Sequence, residues 1–149
     1  MKYKSLEMGA MGTKQLHIIV YEDDPALGSL LSLALRQKGH EVHTYSDPTF
    51  CPTYRDLKSE CPHTRPCADV IITDHNMPNI TGLEYLSLQQ THGCKLQVEN
   101  KAIITGAVLN QKAKETIDSL GCKLFKKPFK LAEILQWIEE CSSRLSPSN

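Results

Sequence analysis

The sequence predicts a three-layer α/β domain built on a five-stranded parallel sheet. Two observations carry this. Short apolar runs alternate with helical patterns along the whole chain, and the strongest of those runs are apolar without a break. A strand that reads as continuously apolar is covered on both faces, which is the habit of parallel sheets flanked by helices.

The elements follow in order. LHIIVY (16–21) is short, apolar and β-branched, a buried strand. Asp24-Pro25 opens a helix, because an aspartate caps the free N–H groups and proline suits the first turn. Leu27, Leu30, Leu31, Ala34 and Leu35 recur at helical spacing, and Lys38-Gly39 closes the helix. EVHTY (41–45) alternates as a weaker strand, and ADVIIT (68–73) is a second strongly buried one. A helix over 82–90 turns Leu83, Leu86 and Tyr85 inward. KAIIT (101–105) is a strand, 110–120 a helix stopped by Gly121, and CKLF (122–125) a short strand. Residues 131–145 form a last amphipathic helix with Leu131, Ile134, Leu135, Ile138 and Cys141 on one stripe. The remaining helix should lie between 46 and 67, where SDPTFCPTYRDLKSECPHTRPC offers no helical period.

A chain of 149 residues is one domain with room for a sizeable core. Residues 1–15 read as a flexible lead-in, 16–145 as the domain and 146–149 as a tail. Seventeen basic residues balance seventeen acidic ones, so no bulk charge draws the chain to nucleic acid or an anionic membrane. No apolar run is long enough to span a bilayer, and the N-terminus lacks the apolar segment of a signal peptide. A cytoplasmic location is expected, where the six cysteines stay thiols or bind metal.

In a parallel sheet all strands point one way, so their C-terminal ends share the edge where ligands bind. The first strand ends in Glu22, Asp23 and Asp24; the third in Asp74; the fourth in Thr105 and Gly106; the fifth runs into Lys126, Lys127 and Pro128. Singly, EDDP is a helix start and KKP a solvated pair. Jointly they bring carboxylates, a hydroxyl and an ammonium to one edge. Clustered carboxylates repel, and Mg²⁺, an oxygen-seeking cation that pairs with one or two carboxylates and a phosphate, relieves the repulsion. An aspartate there can attack phosphorus, with lysine and hydroxyl groups neutralising the phosphoryl oxygens.

The stretches IIVYEDDP, DVIITDHNMPNITGLE, AIITGA and FKKPF resemble a response-regulator receiver domain, the phospho-acceptor module of two-component signalling, over residues 16–145. The resemblance implies a flavodoxin-like (βα)5 fold. It implies that Asp74 accepts a phosphoryl group from a sensor histidine kinase or a phosphotransfer protein. Asp23 would bind Mg²⁺ with support from Glu22, Asp74 would be a further ligand, and Asn76 would offer its backbone carbonyl. Thr105 would hydrogen-bond the phosphoryl oxygens and Lys127 would pair with them. Met77-Pro78 and Gly82 would shape the loop, and Gly106 would leave room for the phosphoryl group. With no further domain after 145, output is expected through partner proteins, and any catalysis is of the chain's own phosphorylation.

The chain departs from the family's pattern at the position where many members carry an aromatic switch ring. Leu124 stands there, with Phe125 one residue later. Side chains alternate along a strand, so Phe125 should face the other way.

The stretch 46–67 is longer than a receiver needs and carries Cys51, Cys61, His63 and Cys67. Three thiols and an imidazole suit a tetrahedral zinc ion, although the spacing is not that of a familiar zinc ribbon. Cys61 and Cys67 also suit a redox pair, and all four suit a loop with incidental thiols. Cys94, Cys122 and Cys141 read as small buried apolar residues, His75 as outward-facing, Trp137 as packing or partner face. His17, His40, His43 and His92 have no evident partners. Two other functions fit less of the chain. One is a metal or redox sensor centred on the cysteine stretch. The other is an aspartyl-phosphate phosphohydrolase, whose DxD nucleophile motif and cap domain this chain lacks.

Overall fold

The structure, a computed structural model, describes residues 14–50, 60–106 and 108–145. Five strands form one parallel sheet: β1 (His17–Tyr21), β2 (Glu41–Tyr45), β3 (Val70–Asp74), β4 (Lys101–Thr105) and β5 (Lys123–Lys126). Their spatial order is β2-β1-β3-β4-β5. The chain thus starts near one edge, crosses to β2, then steps back past β1 to the other edge. The connections that follow β1 and β3 therefore leave toward opposite edges, and the crevice at the C-terminal ends of these two adjacent strands stays open for a ligand.

Among the described residues, four α-helices cover the sheet: α1 (Pro25–Gln37), α2 (Gly82–Thr91), α3 (Gln111–Leu120) and α4 (Leu131–Leu145). Alternation along the strands makes two cores. Ile18, Val20, Val70, Ile72, Ala102 and Ile104 pack with Leu31 and Leu35 of α1 and Ile134, Trp137 and Ile138 of α4. Ile19, Tyr21, Ile71 and Ile103 pack with Tyr85 and Leu86 of α2 and Ile117 of α3. None of the helices is long and apolar enough to cross a membrane, among the described residues.

The expected punctuation operates. The Asp24 side chain accepts from the Ala26 N–H at 3.0 Å, and Gly39 closes α1 at φ 94°. Gly121 ends α3 in the left-handed region at φ 90°. Thr81 and Glu84 cap α2 reciprocally, at 3.0 and 3.1 Å.

Some expectations need correction. Leu30 is 48% exposed and takes no part in the core; the buried stripe of α1 is Gly28, Leu31, Ser32, Ala34 and Leu35. The helix expected between 46 and 67 is absent from the described part of that stretch, which holds one 3-10 turn, Pro48–Phe50; residues 51–59, Cys51 among them, lie outside the described residues. His40 does have a partner, since its Nδ1 accepts the Leu16 N–H at 3.0 Å. Trp137 is a packing residue, edge-on to Phe125 with ring centres 5.8 Å apart.

Candidate phosphoryl-acceptor site

β3 ends on Asp74, and the register that buries Ile71 and Ile72 also fixes this carboxylate at the sheet edge. Asp74 pairs with Ile104, so Thr105 ends the neighbouring strand one residue further on. The Lys127 N–H donates to the Thr105 carbonyl at 2.7 Å, which locks the start of the segment after β5 to the end of β4. That bond delivers the lysine side chain to the acidic cluster. Lys127 Nζ lies 3.3 Å from Asp74 Oδ1 and 3.6 Å from Glu22 Oε1.

Glu22, Asp23 and Asp74 each offer a carboxylate oxygen, and these oxygens all lie within 4.8 Å of one another. Glu22 and Asp74 are buried and Asp23 is exposed. One Glu22 oxygen accepts the Asp24 N–H at 3.1 Å, whereas the buried Oε1 has no hydrogen-bond partner. Burial pushes the Glu22 carboxyl up to about 7, against the Asp24 N–H that favours the charged form. Burial likewise raises Asp74 above the usual carboxylate range, with Lys127 opposing. For Lys127, burial works to lower the ammonium, and the Asp74 and Glu22 carboxylates outweigh it, so the net shift is upward.

A buried carboxylate oxygen without a hydrogen bond, beside two further carboxylates, is a donor set that fits a hard divalent cation. Glu22, Asp23 and Asp74 would hold it. Asn76, exposed two residues beyond Asp74, lies in the loop from which its carbonyl was expected to contribute.

The loop after Asp74 is held from several directions. The His75 N–H donates to Asp74 Oδ1 at 3.0 Å and to the Ile104 carbonyl at 2.8 Å, and the Gly82 N–H donates to the His75 carbonyl at 2.9 Å. A Cβ on Gly82 would meet the Asp74 carbonyl oxygen. Gly106 adjoins the Lys127 stem, where an added Cβ would stand 3.5 Å from Lys127 Cβ. Sequence reasoning missed Asp47. This buried carboxylate accepts from the Thr49 N–H at 2.8 Å and from Asn79 Nδ2 at 2.9 Å, tying the turn after β2 to the loop after β3. It stands in a plain SDP turn, and only the fold reveals its partner in the other loop. His75, expected to face outward, is half-buried, and its Nδ1 is shielded without a hydrogen-bond partner.

Leu124 and Phe125 do face opposite ways: Leu124 packs with the α2–α3 core and Phe125 with the α1–α4 core. The expected zinc set does not gather. Cys61, His63 and Cys67 fail to bring their ligand atoms within 4.8 Å of one another among the described residues. Cys61 and His63 border an apolar cleft over Ile19 and Ile71. Cys67 lines the same cleft, and the segment bends at residues 64, 65, 67 and 69 without bringing the three ligand atoms to one point.

Comparison with curated proteins gives no match. The response regulator receiver domain profile matches residues 18–139. Among solved structures, the non-phosphorylated HemR receiver domain from Leptospira biflexa is similar at 22% identity and a TM-score of 0.69, covering 91% of this chain and 100% of that one. The Francisella response regulator 1452 receiver domain follows at 16% and 0.68, covering 89% and 100%. The N-terminal domain of the Wolinella succinogenes protein WS1339 is 28% identical at a TM-score of 0.67, covering 85% and 93%. The profile spans most of the chain and includes Glu22, Asp23, Asp74, Thr105 and Lys127. This chain is therefore a member of the response regulator receiver domain family.

Proposed function

We propose that the chain is a phosphorylation-dependent signalling switch whose acceptor is Asp74, with phosphohistidine of a sensor kinase or phosphotransfer protein as the donor. The observation that carries this reading is the Lys127 ammonium 3.3 Å from Asp74 Oδ1, beside a three-carboxylate cluster. A carboxylate oxygen of Asp74 attacks phosphorus, the P–O bond forms as the P–N bond breaks, and the leaving imidazole keeps the nitrogen electron pair and takes a proton. Mg²⁺, when bound, neutralises charge on the phosphoryl oxygens. Lys127 pairs with one of those oxygens and Thr105 donates its hydroxyl to another. Asn76 would contribute its carbonyl to the metal, and Gly106 keeps the approach clear.

Phosphorylation adds about −1.5 to −2 charges and three acceptor oxygens. Thr105 moves to meet them, and the segment that follows, through α3, repacks. Only Ile117 of α3 is buried, so this helix is lightly held and suited to shift. Partner proteins then read the new surface. A cytoplasmic setting suits such an exchange.

The test is incubation with Mg²⁺ and acetyl phosphate, followed by intact mass and by free phosphate release. A switch takes up one phosphoryl group per chain and loses it in Asp74→Asn. Multiple rapid turnovers would make the protein a phosphohydrolase instead.

A further inference from the structure

At the other end of the sheet, side chains that the phosphoryl chemistry does not use converge on one spot. His17 opens β1 and Glu41 opens β2, and the two are direct cross-strand partners. His43 stands two residues beyond Glu41, so alternation puts it on the same face. The ligating atoms of His17, Glu41 and His43 all lie within 4.8 Å of one another. His43 Nε2 is 2.9 Å from Glu41 Oε2, and the two imidazole rings meet edge to face with centres 5.0 Å apart. The His43 and Glu41 side chains are 45% and 60% exposed.

We infer that this trio is a binding site for a zinc-class divalent transition ion. The donors decide the class. Two imidazole nitrogens and one carboxylate oxygen suit zinc, whereas magnesium and calcium take oxygen ligands. The backbone is built for it. Parallel pairing fixes the His17–Glu41 register, and Asp69 Oδ2 accepts the His17 N–H at 2.8 Å, which holds the start of β1 in place. A tetrahedral ion with bonds of about 2.0–2.2 Å spaces its donors by about 3.4 Å. The His43–Glu41 pair stands at 2.9 Å and no pair of ligating atoms in the trio exceeds 4.8 Å, so side-chain rotation can reach that spacing. Three protein ligands and an open outer side leave a position for water or for an atom of a partner. The ion would clip the edge strand β2 to β1. The site is separate from the acidic cluster: His17 and Glu22 sit at opposite ends of one strand, about 16 Å apart.

The experiment uses the full chain freed of metal, with Mg²⁺ present throughout to occupy the acidic cluster. Zinc affinity is measured by competition with a chromogenic chelator, and Co²⁺ is added separately as a spectroscopic probe. Expected are one zinc per chain, affinity at least tenfold weaker in His43→Ala and in Glu41→Gln, and no change in Asp74→Asn or in Cys61→Ser/Cys67→Ser. The Co²⁺ form should show ligand-field bands without thiolate-to-metal charge transfer. Absence of binding, indifference to His43→Ala, or loss in the cysteine variant would overturn the inference. A thiolate band in the unmutated protein would do so without any variant.

Discussion

A Cβ added to Gly82 would stand 2.5 Å from the carbonyl oxygen of Asp74 and 3.1 Å from Thr73 Cγ2. The first residue of α2 is therefore pressed against the backbone of Asp74. The helix and Asp74 can be this close only because residue 82 has no side chain.

Gly82→Ala tests that contact. In an open helix start alanine would gain stability over glycine. Here the Asp74 backbone must give way, and overpacking of this kind costs about 1–3 kcal/mol. Urea denaturation should show a loss, and phosphoryl uptake should slow in the folded fraction. A stabilised variant with normal uptake would mean the contact is not there.

Lys127 sets the charge state of the site. Lys127→Met removes the cation that favours ionised Asp74 and Glu22. Both carboxyl groups should titrate higher than in the parent protein, as read by carbon-13 NMR of side-chain carboxyls. Unmoved titrations would place the ammonium away from them in solution.

The pH dependence of the metal-free protein follows from Glu22. Its folded value, about 7, lies above the ordinary 4.5. A raised carboxyl binds its proton more tightly folded than unfolded, so its stabilising effect is full below 4.5 and is lost as pH rises through 7. Stability should fall across that window by an amount on the order of 3 kcal/mol. Mg²⁺ should restore it at pH 8 and bind more tightly there than at pH 5. Glu22→Gln should flatten both trends; denaturation midpoints with and without Mg²⁺ provide the measurement.

Phe125 and Leu124 should separate by cost. Phe125 is buried against Trp137, and Phe125→Ala should lose about 3–5 kcal/mol. Leu124 is half-buried on the other face, and Leu124→Ala should lose less. Chemical denaturation, followed by Trp137 fluorescence, checks the order. Equal losses would contradict the two-faced placement.

Much of this architecture is readable from local pattern. β4 and α4 fall on the expected residues because their apolar repeats and boundaries are unambiguous. Glu22, Asp74 and Lys127 could be brought together in advance because parallel strands share one edge. What escaped depends on contacts far apart in sequence. Asp47 looks like any turn aspartate until Asn79 lies beside it. Lys101 looks like a strand-end surface lysine, yet it is buried, with Nζ donating to Gln89 Oε1 at 2.8 Å. His43 seemed without a partner because Glu41, two positions away in the same strand, gives no helical or turn signal. Leu30 misled because leucine at helical spacing reads as core, yet it is exposed, as Leu33 is, on α1.

The central claim is that Asp74, rather than a neighbouring carboxylate, takes the phosphoryl group. After exposure to acetyl phosphate and Mg²⁺, borohydride reduction converts an aspartyl phosphate to homoserine, which peptide mass spectrometry can locate. The account predicts homoserine at position 74 and nowhere else in the acidic cluster. Reduction at Asp23 or Glu22, or an unmodified Asp74 under conditions that phosphorylate the chain, would contradict it.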